Sequence, residues 1–259
     1  MTNKSLGQHW LRDRTILEAI VDCAELTPDD TVIEIGPGPG TLTSVLLSRA
    51  RRVIAVEFDD GLARKLPGQF PGKQLEVLHQ DVLSLDTEKI PHVYKVVANI
   101  PYYITAKIVH KFTTCTNMPQ TMVLLVQKEV AERLAAAPGA MSVLSIAAQV
   151  GFEVSLGPVV TAEYFTPPPK VDSQVVIMKR RSHALVPVDE QKAFFRLVKA
   201  GFSERRKKLR SSLAGGLGLD KTTIDQLLTA ASLPLESRAQ ELSIEQWYRL
   251  ETIYKTMRL

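Results

Sequence analysis

Cysteine is nearly absent from this 259-residue chain: Cys23 and Cys115 are the two present, far apart and in no C-x-x-C arrangement. That excludes a disulfide framework and a thiolate zinc cage, and no metal site is expected. Long apolar runs are missing as well. The longest weakly polar stretch, roughly 140–152, contains Ser142, Ser145 and Gln149 and is too short to span a bilayer. The first eleven residues mix Lys4, Gln8 and His9 among apolar ones, without the continuous apolar core of a signal peptide. Together these absences predict a cytoplasmic chain that does not enter a membrane. Charge of one sign is in modest excess, +4 net with a pI near 9.0, which permits an anionic partner without demanding one.

What is present is the composition of a globular chain, 45% hydrophobic and 23% charged, long enough for a large domain and a smaller one. Short β-branched runs at 31–35, 52–56, 75–79, 95–98 and 122–126 alternate with helical patterns. This alternation predicts βαβ units and a buried parallel sheet, with ligands beyond the carboxyl ends of the strands. Helices at about 128–137 and 143–150 and strands at 153–160 and 174–179 would complete the sheet. Beyond Pro187 only helical patterns follow, at 189–202, 203–213, 221–231 and 243–257. Ser243 and Gln246 make a capping box, and Gly215, Gly216 and Gly218 are expected to end the helix before them. The reading is an α/β domain over 1–185 and a small all-helical domain over 186–259.

The first strand ends in Glu34-Ile-Gly-Pro-Gly-Pro-Gly40, glycines where a backbone must approach a nucleoside closely. Pro37 and Pro39 each remove a backbone N–H, so a pyrophosphate would lack donors there. A nucleoside without phosphates, such as S-adenosylmethionine, loses nothing. A tight strand-to-helix turn with no ligand is the alternative. Glu57 closes the next strand, where an acidic side chain can accept both ribose hydroxyls, and Asp81 follows the third, where a carboxylate can hold an adenine amine. Either one alone could be a solvated loop residue; all three in order point to an adenosyl pocket.

Asn99-Ile-Pro-Tyr102 ends the fourth strand. An adenine amine is a poor nucleophile because its lone pair is delocalised into the ring. Asn99 and a neighbouring backbone carbonyl can accept hydrogen bonds that favour a pyramidal nitrogen and align it for in-line attack on a sulfonium methyl. Tyr102 offers a ring on which a base can stack. Further along, Arg205, Arg206, Lys207, Lys208 and Arg210 crowd six positions on a predicted helix, with Phe202, Leu209 and Leu213 as its apolar seam. Such a run suits RNA phosphates, although a solvated helix face has the same composition.

These stretches, with Leu6-Gly-Gln-His-Trp-Leu11, Gln127-Lys-Glu-Val130 and Phe165-Thr-Pro-Pro-Pro-Lys-Val-Asp-Ser173, resemble the bacterial small-subunit (16S) rRNA adenine N6,N6-dimethyltransferases of the KsgA type over nearly the whole chain. The resemblance implies a Rossmann-like class I methyltransferase sheet with an antiparallel last strand. It implies that His9 and Leu11 close over S-adenosylmethionine, with Gly36, Gly38, Glu57, Asp81 and Asn99 completing its pocket. It also implies a catalytic group of Asn99, Pro101, Tyr102 and Phe165, with Phe165 stacking on the target base opposite Tyr102. The expected partner is the small ribosomal subunit, met by a monomer without metal. His9 and Trp10 stand where the family often has Asn and Phe. Two rival readings are a large-subunit rRNA adenine dimethyltransferase of the macrolide-resistance type and a ribosome-assembly factor for which methylation is secondary.

Overall fold

The computed structural model describes residues 9–204 and 206–257. Two compact units emerge: one comprises the chain up to Glu132 together with Phe152–Arg180, the other Arg133–Gly151 together with Arg181 onward. The expected division was at 185/186. In the structure 133–151 groups with the C-terminal helices, because Met141, Ile146 and Val150 pack into the same core as Phe194, Leu197 and Trp247.

The first unit is built on a seven-stranded sheet. Its elements in chain order are β1 (Trp10–Leu11), α1 (Arg14–Asp22), β2 (Thr31–Ile35), α2 (Thr41–Arg49), β3 (Arg52–Glu57), α3 (Asp60–Gln69), β4 (Leu75–His79), β5 (Lys95–Asn99), α4 (Thr105–Thr114), β6 (Thr121–Gln127) and the start of α5 (Lys128–Leu134). After the excursion through α6 (Val143–Gln149) the chain returns as β7 (Phe152–Val160), β8 (Phe165–Thr166) and β9 (Ser173–Arg180). The sheet order is β4-β3-β2-β5-β6-β9-β7, with the first five strands parallel and β9 antiparallel to both β6 and β7. This is the expected α/β class with an antiparallel last strand. The chain moves outward from β2 in both directions, so a crevice opens beyond the carboxyl ends of β2 and β5. The central strands are fully buried runs such as Val96-Val97-Ala98 and Met122 to Val126, as a sheet covered on both faces requires. Asp13 and Asp59 cap α1 and α3 by accepting from Ile16 N and Leu62 N.

A separate two-residue ribbon pairs β1 with β8, Trp10 opposite Thr166 and Leu11 opposite Phe165. It ties the N-terminal segment to the Thr166-Pro-Pro-Pro169 stretch, and His9 Nδ1 donates to the Pro167 carbonyl at 2.7 Å.

The second unit is helical: α6, α7 (Gln191–Gly201), α8 (Leu209–Leu217), α9 (Lys221–Ala230) and α10 (Ile244–Thr256). Ser243 and Gln246 form the expected capping box. Two expectations need correction. The helix predicted over 203–213 starts only at Leu209; Ser203 Oγ donates to the Ala200 carbonyl, and among 203–208 the described residues form turns. Nor do Gly215 and Gly216 end α8; they lie inside it, and Gly218, with φ +69°, is the cap. A Cβ on Gly216 would sit 2.8 Å from Ala200 Cα, so this glycine serves the close approach of α7 and α8. Among the described residues no helix is long and apolar enough to cross a membrane.

Candidate active site

Gly36, Glu57, Asp81 and Asn99, read from four separate strand ends, line one cavity of about 330 Å³, within the usual range for small-molecule sites. His9, Leu11, Gly38, Pro101 and Tyr102 line it too. Gly36, Gly38 and Gly40 all have positive φ, which a turn this sharp demands. A Cβ at Gly36 would meet nothing within 4 Å, so the open space beside it is available to a ligand. The backbone donors of the loop are all spent: Gly36 N donates to Val56 O, Gly38 N to Glu57 Oε2 and Gly40 N to Pro37 O, and the prolines have none. A pyrophosphate would find no N–H in this loop.

The carboxylates are only part-used. Glu57 is buried, and its two oxygens accept from Gly38 N at 3.1 Å and Asp59 N at 2.8 Å. A carboxylate has about four lone-pair sites, so each oxygen keeps capacity for a hydroxyl. Asp81 caps a short turn through Oδ1, which accepts from Leu83 N, leaving Oδ2 uncommitted.

Asn99 Nδ2 donates to the His9 carbonyl at 3.4 Å, which leaves Asn99 Oδ1 as an acceptor. The His9 imidazole stacks on Tyr102 with centroids 5.8 Å apart, and the Tyr102 hydroxyl shares a 2.8 Å hydrogen bond with buried Ser173 Oγ. Burial raises the Tyr102 pKa, so the ring remains a neutral stacking surface. Because His9 Nδ1 is committed to Pro167, Nε2 is the nitrogen left for a ligand. Phe165 does not join this group. It is 2% exposed, packs in the sheet core opposite Leu11 and lies outside the cavity lining. No face of its ring is open to a base as the resemblance required.

A family model described as Ribosomal RNA adenine dimethylase matches residues 1–256. The chain belongs to this family. Curated relatives named Ribosomal RNA small subunit methyltransferase A include one from Dehalococcoides mccartyi (strain CBDB1), 42% identical over 95% of this chain and 86% of its own length. Another, from Desulfitobacterium hafniense (strain DSM 10664 / DCB-2), is 43% identical over 98% and 93%. Among solved structures, a dimethyladenosine transferase from Plasmodium falciparum superimposes with TM-score 0.82 at 26% identity, over 97% of this chain and 99% of that one. The 23S rRNA methyltransferase ErmE gives 0.77 at 30%, over 95% and 99%.

The adenine dimethylase site includes residues that motif reading passed over. Glu34, on β2, is 1% exposed and lines the cavity; Thr43 Oγ1 donates to its Oε2 at 2.6 Å, while Oε1 has no partner among the described residues. Burial, with the nearby Glu57 charge adding to it, pushes its pKa up to about 8. The signal was a carboxylate inside a strand otherwise buried and apolar. Trp10 and Phe58 add rings to the lining, Phe58 being largely exposed. In the helical unit of this dimethylase the basic run is substantially neutralised. Lys207 pairs with Glu204 at 2.5 Å, Lys208 with Glu236, and Arg210 with Asp225 at 2.6 Å. Arg206 has no ion pair among the described residues, and Arg205 lies outside them.

Proposed function

We propose that this chain dimethylates the N6 amine of adenine in small-subunit ribosomal RNA, using S-adenosylmethionine. The observation that carries the reading is a cavity whose loop has no donor for phosphate while Glu57 and Asp81 keep free acceptors for ribose and adenine, with the Asn99 acceptor at its edge. Family membership supports the rRNA adenine substrate. The names of relatives at 42–43% identity favour the small subunit over the large-subunit alternative, which draws on a 30% likeness to ErmE.

S-adenosylmethionine supplies an electrophilic methyl group on a sulfonium. Glu57 would hold its ribose, Asp81 its adenine amine, and the Gly36–Gly40 loop, Leu11 and His9 Nε2 its remaining parts. Asn99 Oδ1 accepts one hydrogen of the target amine, and a carbonyl of the Ile100-Pro101 backbone accepts the other, which localises the lone pair toward the attack direction. Tyr102, fixed by Ser173, presents its ring to the extruded base. The sheet unit, the chain up to Glu132 with Phe152–Arg180, then carries catalysis, and the helical unit, with Arg205, Arg206, Lys207, Lys208 and Arg210, contributes RNA contacts, working as a cytoplasmic monomer without metal. The test is transfer of labelled methyl to small subunits lacking the modification, followed by mass mapping. Monomethyladenine should appear first and dimethyladenine later. Label on large subunits, or a product that stops at one methyl, overturns the assignment.

A further inference from the structure

Lys107 is the one lysine or arginine among the residues lining the cavity. It lies on α4, four residues after Tyr103, which sits in the short 3-10 turn that follows Pro101 and leads into that helix. Tyr103 is 64% exposed although it lines the same cavity. Among the described residues Lys107 has no ion pair or hydrogen bond. Lys111, the next lysine on that face, is committed to the carbonyls of Leu83 and Leu85 at 3.1 and 2.6 Å.

The sulfonium, ribose and adenine of S-adenosylmethionine ask for no cation; its one anion is the amino-acid carboxylate, and a Lys107 that served it would lower cofactor affinity when replaced. An anion does come to this mouth when an adenine is drawn out of its strand, because the phosphates on either side of it follow. A large exposed ring beside an uncommitted ammonium is the pairing that single-stranded nucleic acid uses, base on ring and phosphate on cation.

Resting on the activity read above, we propose that Tyr103 and Lys107 form a subsite for the nucleotide flanking the target adenine, its base stacked on Tyr103 and its phosphate paired with Lys107. The test is steady-state methyl transfer to unmodified small subunits at saturating S-adenosylmethionine, with cofactor affinity measured separately by titration. Tyr103→Ala should raise KM for subunits about tenfold, as expected when one stacked base loses its ring, with kcat within about twofold. Tyr103→Phe should restore KM. Lys107→Gln should flatten the dependence of log KM on log salt by about 0.7, the value of one phosphate of a single strand. Cofactor affinity should be unchanged in all three. If wild-type turnover is normal and neither KM nor its salt slope moves, the subsite falls and the activity reading stands. A loss confined to cofactor affinity also overturns it, since the ring then covers the cofactor. Absence of wild-type turnover on small subunits overturns both readings.

Discussion

In the sheet unit two of the carboxylates that line the cavity are buried and under-used: Glu34 has an oxygen with no partner among the described residues, and Glu57 spends one lone pair of each oxygen on a backbone N–H. In the helical unit Arg206, Lys207 and Lys208 of the basic run are exposed, and both lysines are spent on glutamates, Lys207 on Glu204 and Lys208 on Glu236. Unpaired buried groups keep their full desolvation cost until a ligand satisfies them, so a pocket of this kind binds strongly through few atoms. Exposed ion pairs are individually weak, and an RNA phosphate can replace the carboxylate at little net cost. On the proposed function the first region specifies a ligand, whereas the second adjusts affinity.

The largest effect should come from the cavity edge. Asn99→Ala should reduce single-turnover methyl transfer at saturating S-adenosylmethionine by at least about 10²-fold, as for a lost donor or acceptor aimed at developing charge. Small-subunit binding should change little, and near-normal turnover would remove Asn99 from the chemistry.

Glu34 gives the next, an effect on stability. Its folded pKa, raised from an ordinary 4.5 to about 8, means that the unfolded chain ionises first. The ligand-free protein should lose stability as pH rises from about 4.5 to about 8, the contribution being fully present below that window. Glu34→Gln should remove this slope and stabilise the ligand-free protein at pH 8 by on the order of 4 kcal/mol. Urea unfolding at pH 5 and pH 8 reads it; parallel slopes in the two proteins would mean that Glu34 is not held protonated.

The smallest effects belong to the basic run. Arg206→Gln should lower the salt slope of small-subunit binding by about 0.7–0.9 for each phosphate that the guanidinium neutralises, and Lys207→Gln by less, because Lys207 must first leave Glu204. Glu204→Gln should tighten binding by at most about 1 kcal/mol. Equal slopes for the two cation variants would erase the contrast between the regions.

Much of the cavity was legible because its residues sit at the ends of parallel strands, where backbone topology alone converges them: Gly36, Glu57, Asp81 and Asn99 needed no knowledge of packing. Where packing decides, the sequence misled. The charged run 203–208 has helical propensity, yet Ser203 turns the chain through its bond to Ala200. Gly215 and Gly216 look like a helix stop until Ala200 is found against Gly216. Phe165 was implied by the resemblance to stack on the target base, but it is buried in the core beside its strand partner Leu11. The excursion 133–151 carries no mark in its own composition of the core that it joins. Glu34 was visible as a residue but not as an unsatisfied one.

The bond from Gly38 N to Glu57 also bears on how such a site could change ligands over evolutionary time. To recruit a dinucleotide the loop would need new donors at positions 37 and 39, and it would also have to take Gly38 N back from Glu57. The carboxylate suited to a ribose is also the one that occupies the Gly38 donor, so on the proposed function acceptance of the nucleoside and refusal of its phosphorylated kin are linked through one side chain.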